Sequence, residues 1–267
     1  MATNILGYFL ATLVGISLGL IGSGGSILTV PILVYIIGVN PILATTYSLF
    51  VVGSTALIGG TRNALQNTVD FKTVFIFGVP SIAVVYLTRT FLLPIIPDLI
   101  FTTAHFQFTK NIALMVLFAV VMIFASTAMI RPCINCNNTS TIPPQINYIY
   151  ILIQGILVGV LTGLVGAGGG FLIIPALVLF AKMPIKQAVG TSLFIVAINS
   201  LSGFLGDVFH NQNINWYFLI PFSLSSILGL FVGMYLSKKI NGNKLKTAFG
   251  WFVLIMGIYI LFKEIFK

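Results

Sequence analysis

Two short stretches carry residue types suited to holding an anion: Gly22-Ser23-Gly24-Gly25-Ser26 and Gly166-Ala167-Gly168-Gly169-Gly170. Each follows a long apolar run and opens a shorter one, Ile27-Leu28-Thr29-Val30-Pro31 in the first case and Phe171-Leu172-Ile173-Ile174-Pro175 in the second. A helix that starts inside a membrane leaves its first four N–H groups without intrahelical partners. Together with the positive end of the helix dipole, these groups favour negative charge. Adjacent glycines such as Gly24-Gly25 and Gly168-Gly169 are poor helix interior, but they let a ligand approach the backbone closely. Hydroxyls follow downstream, in Thr45-Thr46-Tyr47-Ser48 and in Gly190-Thr191-Ser192. A hydroxyl can donate to an oxyanion without adding charge, although in apolar helices it also bonds back to the turn above. Asn199 is costly in apolar surroundings unless satisfied, so it serves either as a ligand or as a helix–helix bond. The candidate binding set is Gly22, Gly24, Gly25, Ser26, Ser48, Gly166, Gly168, Gly169, Gly170, Thr191, Ser192 and Asn199. The chemistry is anion binding by backbone N–H groups and neutral hydroxyls, with no basic residue expected in mid-span.

Other glycines read differently. Gly15, Gly19 and Gly22, like Gly155, Gly159 and Gly163, have the small-x-x-x-small spacing that lets membrane helices pack closely. No enzyme constellation is present: His105 and His210 fall in separate loops, and Asp70, Asp98, Asp207 and Glu264 are the only carboxylates. Asp207 and His210 close a span and read as loop residues, a place that proton coupling would also suit. Cys133 and Cys136 form a C-x-x-C pair, but zinc usually takes four ligands and the chain has no other cysteine. No metal and no cofactor is expected.

The elements that would position these residues are membrane helices. With 58% hydrophobic and only 6% charged residues, the 267-residue chain lies far from a soluble domain, which carries roughly 25% charged residues. Its mean hydropathy is +1.11. The bases behind the net charge of +9 are scattered through loops, which argues against a nucleic-acid surface and for orientation signals at a bilayer. Apolar runs fall at 5–21, 26–38, 41–61, 73–93, 110–130, 148–165, 170–181, 186–206, 216–237 and 246–262. Those at 26–38 and 170–181 are short, about 20 Å at a 1.5 Å rise, so they are predicted as half-membrane or kinked helices.

An internal repeat organises the runs. A constant offset of 144 residues pairs Gly22 with Gly166, Gly24 with Gly168, Gly25 with Gly169, Pro31 with Pro175, Ser48 with Ser192 and Gly59 with Gly203. The predicted fold is an all-α polytopic bundle of two homologous repeats with glycine-broken half-helices. The first repeat occupies 1–130 and the second 148–267, joined by a polar linker at 131–147. Five crossings per repeat would invert the halves. That arrangement puts nine bases on the cytoplasmic side (Arg62, Lys72, Arg131, Lys182, Lys186, Lys238, Lys239, Lys244, Lys246) and four outside (Arg89, Lys110, Lys263, Lys267). Four crossings and parallel halves give eight against five, so charge favours inversion by one residue.

The doubled pattern G-x-G-G-[SG]-x-L-x-[VI]-P, followed by Tyr47-Ser48-Leu49-Phe50 and by Thr191-Ser192-Leu193-Phe194, resembles the TauE/SafE family of membrane anion permeases, the sulfite exporter family. The resemblance covers nearly the whole chain. It implies a secondary carrier of the plasma or bacterial inner membrane for sulfur-containing anions such as sulfite, thiosulfate or organosulfonates. By the motif, Gly22, Gly24, Gly25, Pro31, Gly166, Gly168, Gly169, Pro175, Thr191 and Ser192 correspond to the family pattern, with Tyr47 departing from the threonine of the second half. The expected partners are a small anion and the lipid bilayer, with no nucleic acid; a homo-oligomer is left open. The anion is expected near the midplane, where the two breaks would face each other, with transport by alternating access. Two other classes stay open at this point: a passive anion channel, and a redox or assembly subunit using Cys133 and Cys136.

Overall fold

The computed structural model describes residues 2–103, 106–130, 148–166, 168–179, 183–208, 214–237 and 242–265. Among them the chain forms ten helical segments. They are α1 (Ala2–Ile21), α2 (22–36), α3 (Pro41–Leu65), α4 (Phe71–Ile95), α5 (Lys110–Ile130), α6 (Tyr148–Val165), α7 (Gly170–Leu179), α8 (Ile185–Val208), α9 (Trp216–Ser237) and α10 (Gly242–Ile265). The ten predicted runs correspond to them one for one. The linker at 131–147 with Cys133 and Cys136, and also His105, Ala167, Lys182, His210, Lys238 and Lys239, lie outside the described residues.

Local chemistry sets the boundaries. Asn40 caps α3 by accepting from the Ile42 N–H at 3.0 Å, with Pro41 in the first turn where its missing N–H costs nothing. Asp70 caps α4 in the same way, accepting from Lys72 N at 3.0 Å and from Thr73 Oγ1 at 2.7 Å. The short segment α2 is irregular throughout, a 3-10 stretch over Gly22–Leu28, one α turn at Thr29–Pro31 and a π stretch over Ile32–Ile36. Glycines and a proline leave it no regular ladder. One departure from an all-helical chain is a hairpin, β1 (Leu99–Thr103) with β2 (Phe106–Thr109). Its threonines and aromatics favour the extended pleat.

The outside of the bundle is apolar and its inside holds polar groups. Phe9, Phe75, Phe124, Ile149, Leu228 and Ile255 are exposed, while Thr45, Thr46, Ser48, Arg89 and Asp207 are buried. Lipid tolerates that arrangement and water does not. Five of the helices are long and apolar enough to cross a membrane: Pro41–Leu65, Phe71–Ile95, Lys110–Thr127, Gln187–Val208 and Trp216–Ser237.

Packing follows a regular scheme. Helices α3 and α8, whose residues correspond at the 144-residue offset, lie together and run antiparallel: Thr46 meets Asp207, Leu49 meets Gly203, Gly53 meets Ser200, and Gly60 meets Phe194. Helices α5 and α10 pair likewise, with Gly257 against Ala119, Met122 and Ile123. By contrast α1 packs parallel to α9, Gly15 and Gly19 resting on the backbone from Ser226 to Met234, and α6 packs parallel to α4, with Gly155, Gly159 and Gly163 against Phe77, Ser81 and Thr88. Shifted by the offset, the α1 and α9 pair becomes the α6 and α4 pair. The predicted small-residue stripes therefore do pack helices, and they do so across the two halves. On its other side α2 presents Ile27 and Val30 to a cluster with Met115, Phe118, Met122, Val253 and Ile260, between α5 and α10.

Antiparallel contact between corresponding helices is the geometry an inverted repeat requires. Cysteines placed at Asn40 and Pro184, 144 residues apart at the starts of α3 and α8, are therefore expected to be labelled from opposite sides of the membrane. The distribution of bases puts Asn40 outside. Labelling of both from one side would make the halves parallel.

Candidate anion site at the second glycine break

The break between α6 and α7 is backbone that side chains rarely adopt. Gly166, Gly168 and Gly169 have φ of +73°, +68° and +64°, the left-handed region where a Cβ is strained. The space where their side chains would stand is filled by polar groups from three other helices and the end of α6. A Cβ on Gly166 would collide with Thr45 of α3 and stand 2.5 Å from Arg89 Nη2 of α4. One on Gly168 would lie 2.5 Å from Ser200 Oγ of α8, and one on Gly169 would overlap Thr162 Oγ1 of α6.

Arg89 is the centre of this cluster, and its side chain is 0% exposed. Its Nη1 donates to Asp207 Oδ2 at 2.9 Å and to Thr45 Oγ1 at 3.1 Å. Thr46 Oγ1 donates to the same Asp207 oxygen at 2.6 Å, while Thr45 Oγ1 passes its own proton to Ile42 O at 2.7 Å. The remaining donors, Nε and Nη2, are buried with no protein partner. They form the side-on edge of the guanidinium, the geometry that receives two oxygens of an oxyanion at once. The hydroxyls of Ser48, Thr162 and Ser200 are likewise buried and unpartnered.

Small residues and a helix defect admit so large a side chain. Helix α4 widens into a π stretch at Thr88–Leu92, a deviation often found at functional sites. Gly163 and Gly206 flank it, a Cβ on the first meeting Thr88 at 2.7 Å and one on the second meeting Thr90 and Arg89 at 3.2 and 3.3 Å. Arg89 lies six residues before the end of α4, about 9 Å inside at a 1.5 Å rise.

This corrects two expectations from the sequence. Arg89 is not a surface base and Asp207 is not a loop residue: α4 continues to Ile95 and α8 to Val208, which carries both charges inside, where each is tolerated because the other neutralises it. The two breaks enter from opposite ends of the antiparallel α3 and α8 pair: a Cβ on Gly22, with φ +77°, meets Val189 near the start of α8 and one on Gly166 meets Thr45 near the start of α3, while one on Gly168 reaches Val52 and Val196 at the middle of both helices.

The candidate residues accordingly divide. Gly166, Gly168 and Gly169 surround the cluster, and Ser48 lies one turn beyond Thr45 on the same face of α3. Gly170 is buried at the start of α7. Gly22, Gly25 and Ser26 belong to the other break, where Gly25 packs against Ser17 and Leu18. Gly24 lies in the same 3-10 stretch. Thr191 Oγ1 accepts from Asp70 N at 3.0 Å and Ser192 Oγ donates back to Val189 O at 2.9 Å. Asn199 Nδ2 donates to Ser81 Oγ at 2.7 Å, and its counterpart Thr55 Oγ1 donates to Ser226 Oγ at 3.2 Å. The same interhelical bond is thus made twice. Arg89, Thr162 and Ser200 were not among the sequence candidates, while Thr45 stood only in the hydroxyl stretch and Asp207 only as a place for proton coupling. Among the described residues no three His, Cys, Asp or Glu side chains gather into a metal-holding group.

A buried cation edged with hydroxyls, inside a bundle coated for lipid, is suited to holding an anion, and comparison with known proteins decides the family. The family model described as "Sulfite exporter TauE/SafE" matches residues 8–260. The chain belongs to the TauE/SafE family. Relatives of this TauE/SafE protein include a "Probable membrane transporter protein" of Xylella fastidiosa, 31% identical over 94% of this chain and 92% of that one. Another from Methanocaldococcus jannaschii is 26% identical over 93% and 92% of the two chains. "Probable membrane transporter protein YunE" of Bacillus subtilis is 26% identical over 93% of each. No solved structure matches this TauE/SafE chain. It is an integral membrane protein of a transporter family.

Proposed function

We propose that the chain is a secondary carrier, in the plasma or bacterial inner membrane, of small sulfur-containing anions such as sulfite, thiosulfate or organosulfonates, and that the anion binds at the second glycine break. The observation that carries this reading is the side-on edge of Arg89, fully buried and unpartnered beside Gly166. An unpaired buried donor costs about 1–3 kcal/mol, more when charged, and an oxyanion on that edge recovers the cost. The hydroxyls of Ser48, Thr162 and Ser200, with the N–H groups of Gly168 and Gly169, complete a shell for a tetrahedral or pyramidal anion, the Gly166 N–H being given to Thr162 O at 2.9 Å. The two repeats, 1–130 and 148–267, act as inverted halves. Because α1 is held by α9 and α6 by α4, the bodies that rock in alternating access are these cross-half pairs, moving against the α3 and α8 pair.

The test is flux into proteoliposomes with sulfite, thiosulfate, sulfate and methanesulfonate as probes, wild type beside Gly168→Val. Wild type is expected to concentrate at least one of the sulfur anions under an ion gradient. The valine protein, whose side chain would displace Ser200 Oγ from a backbone with φ +68°, is expected to insert, remain monodisperse and transport nothing. Flux that only equilibrates would make the protein a channel, and near-normal flux in the valine variant would return Gly168 to a packing role.

A further inference from the structure

We infer that Asp207 is the coupling-proton site of this carrier, so that each anion crosses together with one proton. The inference rests on the anion site proposed above and adds the co-transported ion.

The charges of the cluster carry the argument. Arg89 and Asp207 form a pair with side chains 0% and 5% exposed, and together they sum to zero. A monoanion on the Nε and Nη2 edge would leave a net negative charge buried in a medium of low dielectric, an unfavourable state to move across a bilayer. Protonating Asp207 removes that charge: the cluster becomes cationic and the anion neutralises it. The anion in turn raises the affinity of Asp207 for a proton, and linkage makes the effect reciprocal. Coupling of this sign means symport, anion and proton moving the same way. The step forms one O–H bond on Asp207 with a proton from the aqueous side and breaks the same bond on release; no oxidant or reductant takes part.

Among the described residues, the ionisable groups near this end of α8 are Arg89 and Tyr86 of α4, Tyr86 lying with Thr90 against Gly206, and Tyr47 of α3, whose hydroxyl accepts from Asn215 N at 2.8 Å. Arg62 and Lys72 stand at the opposite ends of α3 and α4, α7 carries no ionisable side chain, and Tyr35 of α2 donates to Glu264 Oε1 at 2.8 Å. Thr46 Oγ1 donates to Asp207 Oδ2 at 2.6 Å. The repeat supplies a contrast: in the other half Asp207 is replaced by Asn63 and Thr45 by Val189, and Arg89 by Met234, since Ser81 of α4 matches Ser226 of α9. The proton and anion site is therefore built once, at one end of the pseudo-symmetric frame.

The experiment uses full-length protein in liposomes with a trapped pH dye and methanesulfonate, a monoanion, as the probe. Wild type is expected to move one proton per monoanion in the same direction, to accumulate the probe when the interior is alkaline, and to lose accumulation with nigericin. Asp207→Asn should make exchange independent of pH and remove pH-driven accumulation. Should that variant fail to insert, Asp207→Glu serves instead, expected to keep proton movement with the probe. Probe flux in wild type without proton movement, or Asp207→Asn accumulating probe like wild type, or Asp207→Glu moving probe with no proton, overturns the proton assignment while leaving the anion site standing. Loss of the anion site itself would appear separately, as binding that survives removal of Arg89.

Discussion

Arg89→Gln is expected to abolish anion binding, lowering affinity at least a hundredfold. A side-on pair of charge-assisted bonds is worth about 3–6 kcal/mol at about 1.5–3 each, and every 1.4 kcal/mol is a factor of about ten. The substitution also strands Asp207, buried beside Thr46 with no cation, at a cost of about 3–5 kcal/mol to the fold. A loss of transport could then reflect unfolding alone. Arg89→Gln with Asp207→Asn separates the two effects, because a neutral amide pair in the same place removes the stranded charge. Its melting temperature should recover toward wild type while binding of sulfite and methanesulfonate stays absent. Equilibrium binding and thermal melting on the same purified preparations decide the matter. Retained affinity in the double variant would place the anion elsewhere.

The second large effect is structural. Gly19→Ala should cost several times the usual price of an added methyl, because the new carbon would lie on the Leu230 carbonyl and 2.7 Å from Met234 N. Backbone cannot turn aside as a side chain can, so α1 must lift from α9. Overpacking of this kind costs about 1–3 kcal/mol and occasionally more. Gly78→Ala is the control of opposite sign: its Cβ meets only Val74 Cγ1 at 3.9 Å, and alanine in an open helical site gains up to about 1 kcal/mol over glycine. Thermal unfolding in detergent should show Gly19→Ala melting well below wild type and Gly78→Ala at or above it. Equal melting of the two would mean that α1 and α9 do not meet through Gly19.

The sequence disclosed the helices because lipid imposes one rule on every span, and hydropathy reads that rule directly. The 144-residue register was legible for a related reason: glycines such as Gly15, Gly19 and Gly159 lie against the backbone of a neighbouring helix, where a larger residue is costly. The ion pair was not legible. Arg89 and Asp207 are 118 residues apart in the chain, and each taken singly resembles a base or an acid near the end of a span. Only the continuation of α4 through its π stretch brings them together. Ser200 and Thr162 escaped notice because a lone hydroxyl in an apolar helix usually bonds to its own backbone, as Ser192 does. The hairpin at 99–109 could have been anticipated from the threonines and phenylalanines of that stretch.

The exchange of partners between the halves bears on how the chain is made. When the ribosome has delivered residues 1–130, α1 exposes Gly15 and Gly19 with nothing to cover them, and α4 shows Phe77 and Ser81 to lipid. Their covers, α9 and α6, emerge later, and α9 is complete only at Ser237. The first repeat therefore has to wait in the bilayer as loosely associated spans, and the bundle can close only after the chain has been synthesised through Ser237. A nonsense mutation in α9 is then as damaging to the first repeat as to the second.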